Sequence, residues 1–221
     1  MVGDNVTNKL SALLAGSFAL VLALQGVAAA ATFDEVGDAG QLLPGQDASG
    51  VSDLTAISGS IATADDADLY AVNLVAGFSY TFTVASSGGL TGLLDSQLFL
   101  FAADGSGLVA NDDTSVLEPL STLTYLASAS GTYYLGISAF GYSPEDAGGN
   151  LIFPGDPFDT TGVRTAAPGA GVLAGWVASD FADPGDYTIT LAAEAIPEPS
   201  SALGVLLLGG LGFSATRRFR R

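Results

Sequence analysis

Acidic side chains gather at two places in this 221-residue chain where they could bind a cation or transfer a proton. The candidates are the aspartates of "DDAD" and the oxygen-bearing residues of two predicted turns: Asp65, Asp66 and Asp68, and Asp104, Asn111, Asp112 and Asp113. Oxygen ligands on turns suit calcium, whereas glycoside hydrolysis needs two carboxylates at a defined separation inside a cleft. Solvated acidic turns are the third interpretation. We expect the second group to be a calcium site, if a cofactor is bound at all.

The composition excludes several kinds of catalytic and metal site. The chain has no histidine and no cysteine, and its single lysine is Lys9, near the N-terminus. Nucleophiles activated by an imidazole are therefore impossible, as are zinc and copper sites built on nitrogen or sulfur. Carboxylate acid-base chemistry and the binding of hard cations by oxygen atoms remain.

Charge is distributed unevenly along the chain. Residues 32–196 contain 21 of the 23 acidic residues, all except Asp4 and Glu198, and one basic residue, Arg164. The net charge of this part, about -20, repels nucleic acid and attracts cations. We expect no nucleic-acid partner.

The pattern of residues 32–196 also predicts β-structure. Six segments alternate apolar with small or polar residues and are rich in aromatic and β-branched side chains, which is typical of half-buried strands: "DLYAVNLVA", "FSYTFTVAS", "DSQLFLFAA", "STLTYLASA", "GTYYLGISA" and "DYTITLAA". Weaker segments are 54–61, 108–111 and 173–177. Glycine- and aspartate-rich turns separate the segments, so the sequence predicts an all-β, antiparallel, jelly-roll-like sandwich of about eight or nine strands.

Both ends of the chain carry targeting features. Residues 1–31 contain one lysine, an apolar run and a series of alanines, which predicts a secretory signal peptide and an exported protein. Residues 200–216 are mostly apolar and just long enough to cross a bilayer as a helix. The arginines that follow would stay in the cytoplasm by the positive-inside rule. We therefore expect a signal helix and a membrane helix to flank an acidic domain at 32–196.

The C-terminus combines a Pro-Glu-Pro motif, the apolar stretch and an arginine-rich end: Pro197, Glu198 and Pro199, residues 200–216, and Arg217, Arg218, Arg220 and Arg221. Together these features resemble the PEP-CTERM sorting signal of bacterial exosortase systems. The resemblance implies an exosortase as processing partner, an inner-membrane intermediate, and release or attachment at the cell surface in bacteria that make exopolysaccharide. A plain C-terminal anchor that is never cleaved is the alternative interpretation.

Four segments of the body follow one another in a recognisable order: "ISGSIATADDADLYAVNLVAG", "LDSQLFLFAADGSGLVANDD", "SGTYYLGIS" and "PGDYTITL". In this order they resemble the bacterial pre-peptidase C-terminal domain, a small β-sandwich appended to many secreted proteins. The family module is normally a non-catalytic accessory. The sequence departs from the family pattern at residues 141–171, which form a longer connection than usual.

That longer connection is a candidate ligand-binding segment, because long connections in compact domains are often functional. Its aromatic residues and the tryptophan just beyond it could stack on a sugar, and its arginine could bind a ligand or an internal acid: Tyr142, Phe153, Phe158, Arg164 and Trp176. Packing of these rings on the sandwich is the other interpretation. Three function classes follow: a non-enzymatic surface or matrix protein associated with exopolysaccharide, a carbohydrate-binding module, and an aspartate-based glycoside hydrolase. We expect the first.

Overall fold

A computed structural model describes residues 30–154, 162–178 and 183–196. The described residues form thirteen strands and one 3-10 turn, Gly89–Thr91. In chain order, the strands are β1 Ala31–Asp34, β2 Gln46–Asp47, β3 Leu54–Ile61, β4 Ala67–Leu74, β5 Phe78–Ser86, β6 Ser96–Phe101, β7 Gly107–Asn111, β8 Thr122–Leu126, β9 Gly131–Ala139, β10 Tyr142–Asp146, β11 Arg164–Thr165, β12 Leu173–Ala178 and β13 Gly185–Ala195.

The strands form two large sheets and a hairpin. One sheet has the order β1-β3-β13-β5-β8, the second β11-β7-β6-β9-β4-β2, and β10 pairs with β12. All nine predicted strands are present, so the all-β prediction is confirmed. The prediction that every pairing is antiparallel is wrong at two edges, because β1 runs parallel to β3 and β2 parallel to β4.

The parallel pairs have a simple origin. Residues 30–50 add one short strand to an edge of each large sheet, and each of these strands is separated from its partner by a long connection that visits the opposite sheet. Strands of four and two residues are too short to show alternation in the sequence, so the pattern that found the other strands missed these two.

The six-stranded sheet is buried on both faces. Its inner face packs against the five-stranded sheet, and Leu98 and Leu100 of β6 belong to this first core. The intervening Phe99 and Phe101 point to the outer face and belong to a second core with Ile152, as the twofold alternation of a strand requires. Every residue of β6 is consequently buried.

The outer face is covered by residues of the long connection. The hairpin of β10 and β12 and the short strand β11 lie in this part of the chain, whose described residues, 141–154 and 162–178, we call the covering segment. Ile152, Phe153 and Leu173 supply its contacts to the second core. The chain therefore forms three layers instead of the two that the sequence predicts.

A buried hydrogen-bond chain links the two large sheets. The hydroxyls of Tyr70 in β4 and Tyr187 in β13 lie 2.7 Å apart, and Tyr187 donates to Oδ2 of Asp68 at 2.6 Å. Gly59 in β3 leaves room for both rings, since a Cβ atom there would lie 2.5 Å from the Tyr187 hydroxyl. Both tyrosines are fully buried, so these hydroxyls depend on each other and on Asp68 for hydrogen bonds.

The predicted signal peptide and the predicted sorting segment fall almost entirely outside the part of the chain that the structure describes. Residues 1–29 and 197–221 lie outside the described residues, and so do Pro197, Glu198, Pro199 and the four terminal arginines. Among the residues that are described, no helix is long and apolar enough to cross a membrane. The first described strand begins at Ala31, next to the expected cleavage point.

Replacing Tyr187 with phenylalanine should lower the free energy of unfolding by about 1–3 kcal/mol, because it removes two buried hydrogen bonds and strands an oxygen of Asp68. Urea denaturation measures the loss. Tyr133→Phe is the matched control, since its hydroxyl donates to the main-chain oxygen of Ala129 at a partly buried position. Equal losses in the two variants would contradict a special role for the link between the sheets.

Candidate functional site

Three carboxylates meet at one end of β6 and β7. Asp95 precedes β6, and Asp112 and Asp113 follow β7 directly. Because the two strands are antiparallel neighbours, with Leu98 opposite Asn111, the start of one lies beside the end of the other. Carboxylate oxygens of the three aspartates lie within 4.8 Å of one another. We call these three residues the acidic cluster.

Strand alternation separates Asn111 from the acidic cluster. Ala110 contributes to the second core, so Asp112, two residues on, faces the same outer side while Asn111 faces the inner side. There its Oδ1 accepts a hydrogen bond from the main-chain N–H of Thr122 at 3.0 Å, and its Nδ2 donates to the main-chain oxygen of Asp113 at 3.1 Å. The Asn111 side chain braces the turn after β7.

Asp104 also lies apart from the cluster. It is exposed in the turn between β6 and β7, at the opposite end of the hairpin, and accepts a hydrogen bond from the main-chain N–H of Ser106 at 2.9 Å. Of the four residues predicted to bind calcium, the structure therefore brings Asp112 and Asp113 together and adds Asp95. Asp95 is the first residue of the predicted segment "DSQLFLFAA", and pairing that segment in register with β7 would have placed it beside Asp112.

Burial dominates the electrostatics of the cluster. Asp112 is 1% exposed, and this burial raises its pKa to about 7 despite the Arg164 guanidinium, whose Nη2 lies 3.8 Å from Oδ2. Burial also raises the pKa of Asp95 to about 6, with further contributions from Asp113 and Asp183. The pairing of Arg164 with an internal acid agrees with one of the two interpretations of its role.

Several polar atoms around the cluster lack a hydrogen-bond partner among the described residues. They are buried side-chain atoms of four residues: Oδ1 of Asp95, Oε1 of Gln97, Oδ1 of Asp112 and Nε of Arg164. Such unpaired buried atoms are rare in folded proteins, because each has lost its hydration without replacement.

The "DDAD" segment does not act as one group. Asp65 is exposed, and Asp66 accepts a hydrogen bond from the main-chain N–H of Ala62 at 2.7 Å. Asp68 lies instead beside Glu35 and Asp38 of the N-terminal segment, with carboxylate oxygens within 4.8 Å. Both oxygens of Glu35 already accept main-chain N–H groups, from Ala39 and Ser60. Burial raises the pKa of Asp68 to about 8.

The candidate aromatic residues of the long connection pack inward. Phe153 is 5% exposed and contacts Phe99 and Phe101 with ring centroids 5.8 and 5.7 Å apart. Tyr142, 7% exposed, stacks on Trp176 at 5.7 Å. Phe158 lies outside the described residues. The three described rings contribute to the covering layer, and two of them present almost no surface to a sugar.

Gln41 fixes the ends of two of these rings. Its Oε1 accepts a hydrogen bond from the Tyr142 hydroxyl and its main-chain oxygen accepts one from Nε1 of Trp176, each at 2.7 Å. The N-terminal segment thereby holds the covering segment in place, and the polar atoms of both rings are satisfied within the protein.

A separate cleft of about 330 Å³ opens where the two large sheets meet at the ends of β3, β4 and β13. Its walls are formed by small, apolar and a few polar residues: Ala48, Ser49, Val51, Asp53, Leu54, Val72, Asn73, Leu74, Val75, Tyr80, Leu191, Ala192 and Ala193. Asp53 is the one carboxylate in this lining, so the cleft lacks the carboxylate pair that glycoside hydrolysis requires.

The comparison with protein families gives a partial match. The model of the bacterial pre-peptidase C-terminal domain matches residues 66–139, from β4 to β9. The predicted resemblance is confirmed over that range, which holds Asp68 and the acidic cluster. Arg164 and the covering segment lie outside it, as does the fourth segment quoted for the likeness, residues 184–191.

Solved structures give looser similarities. The 1.0 Å crystal structure of the pre-peptidase C-terminal domain of collagenase from Bacillus anthracis aligns with 74% of this chain and 97% of that domain, at 11% identity and a TM-score of 0.33. PliG, a periplasmic inhibitor of g-type lysozyme from Aeromonas hydrophila, aligns with 75% of this chain and 100% of its own, at 10% identity and a TM-score of 0.37. The search of curated proteins found no match.

The raised pKa of Asp68 should make the folded state less stable as the pH rises. Between about pH 4 and 8 the folded chain keeps a proton that the unfolded chain releases, so the unfolding free energy falls by up to about 1.4 kcal/mol per pH unit. Asp68→Asn should make this part of the profile less steep but not flat, because the raised pKa values of Asp112 and Asp95 contribute a slope of the same sign. Urea denaturation in a metal chelator measures both profiles. Asp65→Asn, an exposed neighbour, should leave it unchanged, and parallel profiles for Asp68→Asn and the wild type would refute the assignment.

Truncation of Phe153 to alanine should destabilise the domain by about 3–5 kcal/mol, because it opens a cavity in the second core. Leu151→Ala, at an exposed position two residues earlier, is the matched control and should have a small effect. Thermal melting measures both. A Phe153→Ala protein that melts like the wild type but loses affinity for a glycan would show instead that the ring is a binding surface.

Proposed function

We propose that this chain is a non-enzymatic, exported protein that an exosortase sorts to the cell surface or its surroundings, where it associates with exopolysaccharide. The observation that carries the proposal is the order of features at the C-terminus: Pro-Glu-Pro at 197–199, an apolar stretch at 200–216, and four arginines in the last five residues. A plain anchor needs no such proline motif, and it would ordinarily be longer.

The absence of enzymatic activity is supported by where the titratable groups lie. With no histidine or cysteine in the sequence, a catalyst would have to use carboxylates. Asp68 and Asp112 have the most strongly raised carboxyl pKa values, but both side chains are fully buried. A general acid must reach the bond that it protonates, so these two groups are poorly placed for hydrolysis.

The location and partners follow from the flanking segments and the charge. A signal peptide at 1–31 would start export, and residues 200–216 would hold the intermediate in the inner membrane with the arginines in the cytoplasm. The exosortase would then cut near the proline motif. The acidic body, at about -20, disfavours nucleic acid as a partner and favours a cation-rich extracellular matrix.

The carbohydrate-binding alternative has less support. Its candidate surface required Tyr142, Phe153 and Trp176 to present their ring faces, and these rings pack on the sandwich or on one another. Glycoside hydrolysis has still less support, since the described cleft offers one carboxylate. We therefore keep the matrix-protein proposal as the single leading function.

Processing should yield a mature protein that begins near Ala31 or Thr32 and ends between Pro197 and Ser200. Intact-mass measurement on fractionated cells checks both ends. Changing the four terminal arginines to glutamate should block removal of the tail, because the segment would lose its cytoplasmic anchor. The same four positions changed to lysine keep the charge and should be processed normally.

Two results would contradict the proposal. A mature protein that retains Arg217 to Arg221 in a host with an active exosortase would identify a plain anchor. A protein that is processed but distributes identically in hosts with and without exopolysaccharide would remove the matrix association while leaving the sorting intact.

A further inference from the structure

The acidic cluster contains buried oxygen atoms that nothing in the described part of the chain satisfies. Gln97 is 5% exposed and Asp112 is 1% exposed, yet Oε1 of Gln97 and Oδ1 of Asp112 have no hydrogen-bond partner. Leu98 pairs with Asn111 in the antiparallel register, so Gln97 lies across from Asp112, next to the cluster. Oδ1 of Asp95 is also unpaired.

These oxygens share one face of the six-stranded sheet. Gln97 is two residues before Phe99 in β6, and Asp112 is two residues after Ala110 in β7; both Phe99 and Ala110 face the second core. Gln97 and Asp112 therefore lie on the outer side, beneath the covering segment, together with Arg164 of β11. Gln97 and Asp112 are therefore neighbours on this side of the sheet, contributed by two adjacent strands.

The charges in this place do not balance. Arg164 is the one basic residue between Thr32 and Ile196, and its Nη2 lies 3.8 Å from Oδ2 of Asp112. Three carboxylates facing one guanidinium leave up to two negative charges. Since Arg164 approaches Oδ2, it leaves Oδ1 of Asp112 for another positive group.

The separation of the oxygens suits a divalent cation of calcium size. Two ligands of one calcium ion, each about 2.4 Å from it, are at most about 4.8 Å apart, and the cluster has carboxylate oxygens within 4.8 Å of one another. Carboxylate and amide oxygens without nitrogen or sulfur ligands favour calcium or magnesium over zinc or copper. Calcium tolerates irregular coordination completed by water, whereas magnesium demands a near-ideal octahedron.

We propose that Asp95, Asp112 and Asp113, with the side-chain amide oxygen of Gln97, bind one calcium ion beneath the covering segment. This site keeps Asp112 and Asp113 of the set expected from the sequence, replaces Asp104 and Asn111, and is independent of the sorting route. The ion ties the start of β6 to the end of β7. Through Asp112 and Arg164 it also fastens the covering segment to the sheet.

The test is calcium binding and thermal melting of the purified full chain, stripped with a chelator and titrated with calcium chloride at constant ionic strength. We expect one ion to bind at this site by calorimetry. At free calcium about 100 times the dissociation constant, the unfolding equilibrium constant should fall about 100-fold, which raises the melting temperature by several degrees. Sodium chloride at matched ionic strength should not reproduce the shift.

Variants locate the ion. Asp112→Asn should abolish the calcium-dependent shift in melting temperature. If Asp112→Asn does not fold, Asp95→Asn, at a less buried position, is the test variant and should abolish the same shift. Asp104→Asn is the matched control, because it removes an exposed carboxylate at the other end of the same hairpin and should keep the shift. Asp38→Asn, in the group around Asp68, should keep it too.

The proposal is overturned if chelated and calcium-loaded proteins melt together at millimolar calcium. It is equally overturned if Asp95→Asn and Asp112→Asn bind calcium like the wild type, or if Asp38→Asn alone removes the shift. Loss of the shift in Asp95→Asn, with retention in Asp104→Asn and Asp38→Asn, supports it.

Discussion

Burial of the six-stranded sheet on both faces is the constraint that shapes the rest of this domain. β6 has large apolar side chains on both faces, so a single partner sheet could cover only half of its apolar surface. The covering segment supplies the second layer and brings Arg164 over the end of β7. The guanidinium of Arg164 thereby lies beside the buried Asp112, and removing the arginine would leave this carboxylate buried without its cation.

The acidic character of the chain has two different consequences. Most of its carboxylates are on the surface, where they add solubility and mutual repulsion. Asp68 and Asp112 are buried, and the polar group beside the carboxyl differs between them. Asp68 accepts a hydrogen bond from Tyr187 and has a pKa near 8, whereas Asp112 has a guanidinium beside it. The free-energy cost of burying a carboxylate therefore sets Asp68 and Asp112 apart from the surface carboxylates.

The sequence predicted nine of the thirteen strands, because alternation persists over five or more residues in most of them. It did not predict β1, β2 or β11, which have two to four residues, or β10, whose five residues include a proline. The parallel edges depend on long-range pairing, which the sequence pattern does not show. Asp112 and Asp113 were recognised from their turn. Asp95 and Gln97 were missed, since their relation to Asp112 exists only once β6 and β7 are paired in register. The inward packing of Phe153 likewise depends on the apolar outer face of the six-stranded sheet. The two-layer sandwich predicted from the sequence has no such buried outer face.

The directions of β1 and β13 determine at which end of the five-stranded sheet the described chain begins and ends. β1 runs parallel to β3 and β13 antiparallel to it, with Ala31 beside Leu54 and Thr190 beside Ala56. The described chain therefore enters and leaves at the same end of the five-stranded sheet. Asp95 lies near the start of β13, since Leu93 donates to the main-chain oxygen of Asp186. A tether at either terminus would therefore hold the domain by one end of this sheet, and the acidic cluster lies towards the opposite end.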